Sequence, residues 1–133
     1  MNARLSPQTL DAMRRARRRY HPRERMGTAE WARKYRKLAS GAIRGDYSFE
    51  NQPAIEGILD AYDDPKVREI FSQKSSQFGY TQGVELNIIG RHIHLDPCPI
   101  LMLFPKDPDG QRFAREKLEP AIRATPELLR RIR

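Results

Sequence analysis

The sequence predicts an α/β fold in which a parallel sheet of few strands is flanked by helices. Apolar residues alternate through residues 67–72, as in a short strand, and a continuous apolar run at residues 100–104 suits a strand covered on both faces. Between these runs, Val84, Ile88 and Ile89 recur at helical spacing. Strand, helix, strand and final helix form a βαβα order, which implies parallel strands with helices against them.

The N-terminal part of the chain is predicted to be helical. Ser6 followed by a proline is typical of a helix N-terminus, and the residue before Pro22 is pushed out of the helical conformation, so this first helix ends there. Thr28 can cap a second helix over residues 29–39. The glycines and proline of residues 40–53 indicate a loop.

The remaining helices follow from the spacing of apolar residues. A clean amphipathic pattern at i, i+3, i+4 and i+7 is formed by Ile55, Ile58, Leu59 and Tyr62. The acidic residues and proline at 63–65 stop that helix. Further helices are predicted at residues 81–94 and 112–123, with a turn at residues 105–110 and a short last helix from Thr125.

Composition restricts the class of protein. The chain has 133 residues with 38% hydrophobic and 32% charged residues, which suits one globular domain with a charged surface. The net charge of +8 favours an anionic partner such as nucleic acid or a nucleotide. Cys98 is the only cysteine, so an internal disulfide is excluded and a reducing compartment fits. We expect neither a membrane span nor a signal peptide.

The polar stretch between the first predicted strand and its helix is a candidate phosphate-binding loop. It consists of Lys74, Ser75, Ser76, Gln77, Phe78, Gly79, Tyr80 and Thr81. Against the pattern G-x-x-x-x-G-K-[ST], Gly79 and Thr81 match, while the basic residue is displaced to Lys74. A strand, a short loop and a helix N-terminus can hold phosphate, and Thr81 could place its hydroxyl on magnesium. The alternative is a strand-to-helix turn that Thr81 merely caps.

Two other groups of residues were candidate sites. The first helix carries a thin apolar stripe among Arg14, Arg15, Arg17, Arg18 and Arg19. These arginines are either a solvated helix face or a contact to a nucleic-acid backbone. Four potential zinc ligands lie within seven residues: His92, His94, Asp96 and Cys98. They straddle a proline turn and have no second ligand pair, which favours a polar helix C-terminus over a zinc site.

An ordered set of motifs extends over residues 28–133. It comprises Trp31-Ala32-x-x-Tyr35-Arg36-x-Leu38, Pro53 before an amphipathic helix, Asp64-Pro65-x-Val67-x-Glu69, Lys74-Ser75-x-Gln77-x-Gly79-x-Thr81, Asn87-x-Ile89-Gly90, Asp96-Pro97-x-Pro99-Ile100-Leu101, the turn Pro105-x-Asp107, Phe113, Leu118-x-Pro120-x-Ile122 and Thr125-Pro126. In this order the residues resemble the N-terminal ATPase portion of the lambda-type (gpA-like) phage terminase large subunit.

The resemblance implies a partial P-loop NTPase fold in residues 28–133, preceded by a basic helical segment at residues 1–27. It implies a DNA-packaging ATPase that uses ATP and Mg²⁺. Lys74 would neutralise the β- and γ-phosphates as the displaced lysine of an unusual Walker A loop, and Thr81 would help to bind Mg²⁺ through the bound ATP. The implied partners are double-stranded viral DNA, the terminase small subunit and the portal protein of the procapsid, in an oligomeric motor in the bacterial host cytoplasm.

The family also has parts that this sequence lacks. The chain ends before the family's Walker B carboxylates and its nuclease half, so we expect a truncated portion that binds nucleotide and hydrolyses little, without an assigned catalytic residue. The candidate adenine contacts are Tyr47, Phe49 and Gln52. Two other classes remain open: a small basic nucleic-acid-binding module without nucleotide chemistry, and a scaffold domain that binds neither ligand.

Overall fold

The computed structural model describes residues 6–20, 24–39 and 45–132. The elements in chain order are α1 (Pro7–Tyr20), α2 (Thr28–Tyr35), β1 (Lys37–Leu38), β2 (Gly45–Asp46), α3 (Pro53–Asp63), α4 (Leu86–His94), α5 (Asp107–Phe113), α6 (Glu119–Ala124) and α7 (Pro126–Leu129). One π-helical turn, Thr81–Glu85, leads directly into α4, and a second, Ala114–Leu118, joins α5 to α6. In these ranges the strands form a single antiparallel pair, β1 with β2.

The core lies where α2, α3 and α4 meet. Trp31 of α2 and Ile55 and Leu59 of α3 are completely buried there. The indole of Trp31 packs against α4 at Gly90, where any side chain would overlap the ring. Small residues at a helix crossing let the two backbones approach closely, so Gly90 sets how near α2 and α4 can lie.

Two polar contacts fix these helices relative to each other. At the start of α2, the amide and hydroxyl of Thr28 both donate hydrogen bonds to the carboxylate of Asp63, the last residue of α3, with 2.7 Å between Thr28 Oγ1 and Asp63 Oδ1. At the other end, the indole N–H of Trp31 donates to Nδ1 of His94 at 3.1 Å. The expected capping role of Thr28 is therefore supplied by Asp63, from a different helix.

The predicted helices are mostly confirmed, with two changes at their ends. Ser6 accepts a hydrogen bond from the amide of Thr9 at 3.2 Å, as expected at the start of α1, and α3 stops at Asp63. The helix predicted at residues 29–39 is wrong beyond Tyr35, because the chain there becomes β1 and pairs with β2. The turn predicted at residues 105–110 is partly wrong, because α5 already begins at Asp107, where an acidic residue and a proline suit the first helical turn.

The predicted parallel sheet is not present in the described residues. Residues 67–72 and 100–104 are irregular and pair with no strand. Their apolar side chains are largely uncovered, with exposed fractions of 90% for Phe71 and 83% for Leu101. A strand forms only when a neighbour accepts and donates its backbone hydrogen bonds, and an apolar pattern does not supply that neighbour. The described residues therefore do not show these strands, and they form a helix-rich structure with a two-stranded antiparallel sheet.

Candidate nucleotide-binding site

The candidate site is the loop of residues 74–81, whose last residue, Thr81, begins the π-helical turn before α4. Its backbone reverses through two residues in the left-handed region, Gln77 with a φ of 60° and Gly79 with a φ of 79°. A Cβ at Gly79 would lie 2.7 Å from the side-chain amide of Gln52. Because glycine adopts positive φ without steric cost, Gly79 permits both the reversal and the close approach of Gln52.

The side chain of Lys74 folds back across this loop. Its Nζ lies 5.8 Å from the centre of the Tyr80 ring, within cation–π distance, so the ammonium at the front of the loop is held beside the start of the helix. Lys74 is exposed, and no carboxylate in the described ranges forms an ion pair with it. Its positive charge is therefore available to an anion from outside the chain.

The backbone of the loop offers free hydrogen-bond donors. The N–H groups of Ser75, Ser76, Gln77 and Gly79 donate to no backbone carbonyl in the described part of the chain. Backbone N–H groups require a partner, which at these positions must be water or a ligand. Consecutive free amides just before a helix are the arrangement that holds phosphate oxygens, so the loop has the donors that a nucleotide would need.

Thr81 begins the π-helical turn without capping it. The N-cap position belongs to Tyr80, and no side chain caps this helix start. The carbonyl of Thr81 accepts a hydrogen bond from the amide of Leu86. The alternative in which Thr81 serves only as a helix cap is therefore wrong for this structure, and its hydroxyl remains free for a ligand.

A cleft of about 210 Å³ adjoins Thr81 on the side of α5. Its charged lining residues are Asp109, Arg112, Glu116 and Lys117. Spacings of three and four residues place Asp109, Arg112 and Glu116 along one face of the helical stretch from α5 into its π-helical turn, and Lys117 directly follows Glu116. Asp109 and Glu116 line the same cleft as Thr81, together with two cations, and Arg112 Nη1 lies 4.0 Å from Asp109 Oδ1. This grouping was not predicted from the sequence, although the spacing of charged residues within residues 109–117 was a signal for it.

A comparison with known protein families decides what this loop belongs to. Residues 41–133, more than half of the chain, match the family described as phage terminase large subunit gpA, ATPase domain. The chain belongs to this family. The predicted resemblance is confirmed, and residues 41–133 are the ATP-binding part of a phage terminase large subunit, which takes part in DNA packaging. No curated protein and no solved structure matches the chain.

The three candidate adenine contacts of this terminase portion occupy different environments. Tyr47 and Phe49 are buried, and their rings meet edge to face with 5.0 Å between centroids. Burial also raises the pKa of the Tyr47 phenol. Both rings therefore pack in the core and are not open to a base. Gln52 alone lies against the loop, at Gly79.

A buried cation lies behind the terminase loop. Arg36 follows α2 and is 2% exposed. Its Nη2 donates to Oε1 of Gln82 at 3.0 Å, and its Nη1 donates to the carbonyl of Lys37. Burial lowers the pKa of this guanidinium to about 10. Sequence reasoning missed this role because arginine is usually exposed, and the only signal was its place in the motif at residues 31–38.

The histidines at the end of α4 pack into the protein. His92 is buried, its Nε2 lies 2.7 Å from the hydroxyl of Tyr62, and its Nδ1 lies 2.9 Å from the carbonyl oxygen of Asp96. His94 accepts the indole N–H of Trp31. Within the described ranges, no group of three or more histidine, cysteine or acidic residues could hold a metal ion. These histidines are therefore structural, and the interpretation as a polar helix terminus was incomplete.

The basic N-terminal segment is represented by α1. Arg14 is exposed on this helix, and the backbones of the other four arginines follow in the same helix. The parts of the predicted segment at residues 1–5 and 21–23 lie outside the described residues. Neither α1 nor another described helix is long and apolar enough to cross a membrane.

Proposed function

We propose that the loop of residues 74–81 holds the triphosphate of ATP with Mg²⁺. The free N–H groups of the loop would bind phosphate oxygens, and the Lys74 ammonium would neutralise charge on the β- and γ-phosphates. The free hydroxyl of Thr81 would complete the ligands of a magnesium ion carried by the nucleotide. The observation that carries this proposal is the loop itself: its donors lack protein partners, and it lies within the matched ATPase domain.

Bound ATP would supply the phosphoanhydride bond whose hydrolysis drives packaging. The part of the chain described here would bind and orient it: the loop amides fix the phosphates, Lys74 offsets their charge, and the helix start behind Thr81 adds a favourable dipole. Gln52, which contacts Gly79, is placed to bind the adenine edge through its side-chain amide. We assign no catalytic carboxylate to these residues.

We further propose that residues 28–133 are part of a P-loop ATPase domain and that residues 1–27 are a separate basic segment. In such a domain, residues 67–72 and 100–104 would be strands of a parallel sheet. The exposure of Phe71, Leu101 and Leu103 supports this proposal, because large apolar side chains are seldom left uncovered in a row.

In the assembled motor, we propose that Arg14, Arg15, Arg17, Arg18 and Arg19 contact the phosphate backbone of double-stranded viral DNA. The further partners would be the terminase small subunit and the portal protein, in an oligomer in the host cytoplasm. The full-length family would also cut concatemeric DNA as an endonuclease. The same arginines support the second candidate, a basic nucleic-acid-binding module without nucleotide chemistry.

The test is titration of a fluorescent ATP analogue with magnesium into the chain and into Lys74→Ala. We expect saturable binding that is lost in the variant, because the amides alone cannot offset the charge of the triphosphate. Lys66→Ala is the matched control, since Lys66 is also an exposed lysine but lies outside the loop. Circular dichroism would confirm that each variant is folded.

Two results would overturn the proposal. Equal binding by the chain and by folded Lys74→Ala would remove Lys74 from its role. Absence of nucleotide binding, together with salt-sensitive DNA binding that all three proteins share, would favour the basic module, because contacts to a nucleic-acid backbone are spread over many residues.

A further inference from the structure

The guanidinium of Arg36 is a buried charge with no carboxylate partner among the described residues. Its hydrogen-bond acceptors are neutral, namely the amide oxygen of Gln82 and the carbonyl of Lys37, and its Nε has no partner. In the described ranges no carboxylate forms an ion pair with it. The remaining residues of the sequence include no aspartate or glutamate. A buried charge without an ion-pair partner is costly to the folded state, and at Arg36 only neutral acceptors offset that cost.

Arg36 lies next to the π-helical turn that follows the candidate loop. Gln82, which accepts the hydrogen bond from Arg36, directly follows Thr81 in the π-helical turn. The amide of the next residue, Gly83, donates to the carbonyl of Gly79 at 2.8 Å, so the same turn is hydrogen-bonded to the loop. Arg36 is therefore connected to the loop through one side chain, and its positive charge lies behind the start of the helix.

We propose that Arg36 is a positioning residue for the phosphates of the bound nucleotide and that it acts through Gln82. This inference rests on the proposed function of the loop. Arg36 holds the first turn of the helix in place through Gln82 and adds a fixed positive charge next to this turn. The nucleotide phosphates supply a counter-charge, since none of the carboxylates in the described ranges pairs with Arg36.

The size of the effect follows from Coulomb's law. For an assumed separation of about 10 Å between the guanidinium and the phosphates and an effective dielectric constant of about 20, Coulomb's law gives a change of roughly tenfold in the dissociation constant. The charge is buried, so salt screens it less than it would screen an exposed lysine. Loss of the Arg36 charge should therefore weaken nucleotide binding roughly tenfold.

Gln82→Glu is the variant that separates this role from a purely structural one. It keeps the shape of the side chain and places a carboxylate next to Nη2 of Arg36. The new ion pair should raise the midpoint of thermal unfolding, while it cancels the charge that the phosphates would use and raises the dissociation constant roughly tenfold. Gln8→Glu, on the exposed side of α1, is the control for the change in net charge.

A double-mutant cycle with Arg36→Gln tests whether the two residues act together. Glutamine removes the charge but keeps a donor for the Lys37 carbonyl, and Arg36→Met is a second neutral variant in case the first does not fold. We expect the neutral variants to weaken binding roughly tenfold and Gln82→Glu to add little in their background.

Three outcomes would overturn the inference or the proposal beneath it. A higher unfolding midpoint in Gln82→Glu with unchanged nucleotide affinity would make Arg36 purely structural. An undiminished loss of affinity for Gln82→Glu in the Arg36→Gln background would mean that the new carboxylate repels the phosphates directly. If the unaltered chain binds no nucleotide, both the inference and the proposed function of the loop fail. If the unaltered chain binds nucleotide and Lys74→Ala abolishes that binding, the proposed function stands and the results with the Arg36 and Gln82 variants test only the inference about Arg36.

Discussion

The contact between Gly90 and Trp31 gives the sharpest test of the packing. In Gly90→Ala the new Cβ would lie 2.9 Å from Cζ3 and 3.2 Å from Cζ2 of Trp31, and closer still to Cη2. The indole cannot move aside easily, because it is completely buried and its N–H is bonded to His94. The added methyl group must therefore push α2 and α4 apart.

Gly57→Ala is a matched control, because Gly57 also lies within a helix but a Cβ there meets nothing within 4 Å. Alanine in a helix interior is favoured over glycine by about 1 kcal/mol, so Gly57→Ala should be stabilising by up to that amount. At Gly90 the same gain is opposed by overpacking of about 1–3 kcal/mol. Because the neighbouring indole is rigid, we expect an overpacking cost of about 3 kcal/mol at Gly90. After the gain of about 1 kcal/mol from alanine, the net loss of stability is about 2 kcal/mol.

Thermal and urea unfolding of the two variants would measure the difference. A separation of about 3 kcal/mol between them corresponds to roughly 12 °C in the unfolding midpoint for a domain of this size. If Gly90→Ala proved as stable as the unaltered chain while Gly57→Ala gained stability as expected, the close packing of Trp31 on α4 would be refuted.

Two further predictions concern the polar contacts between helices. Burial lowers the pKa of the His94 imidazole below its ordinary 6.5. As the pH falls, the imidazole is therefore protonated in the unfolded chain before it is protonated in the folded protein. The free energy of unfolding consequently decreases below about pH 6.5. In His94→Gln, the free energy of unfolding, measured with urea, should fall less between about pH 7.5 and about pH 5.5. A fall as large as that of the unaltered chain would contradict this prediction. Asp63→Ala should lose about 1–2 kcal/mol by removing the acceptor for Thr28, whereas Asp64→Ala, which affects only an exposed turn, should lose less. Equal thermal midpoints for the two would argue against this cap.

The helices could be predicted because their hydrogen bonds are local. For α3 and α4, apolar residues at helical spacing were sufficient, since each backbone group finds its partner four or five residues away. The strands predicted at residues 67–72 and 100–104 are irregular in the structure, and local spacing could not predict their pairing. A strand depends on a neighbour that is distant in sequence, and the alternation of apolar side chains carries no information about that neighbour.

The loop of the candidate site could be predicted from the sequence, but its contacts with distant residues could not. The spacing of Lys74, Gly79 and Thr81 identified the loop, because those residues are close in sequence. The contacts of Gln52 with Gly79 and of Arg36 with Gln82 join residues 27 and 46 positions apart. Only the packing of the helices brings such residues together, so no short motif could have revealed them.

The loop joins two segments of very different local stability. On its C-terminal side the chain enters a helix that packs in the core; on its N-terminal side residues 67–73 are exposed and have no strand partner. The free energy of local opening should therefore rise steeply along the sequence from residue 67 to α4. Amide hydrogens in α4 would exchange slowly with solvent and those before Lys74 quickly. A ligand or a neighbouring strand that orders residues 67–73 would couple them to α4, which is already rigid. A displacement of one segment would then be transmitted to the other through the loop.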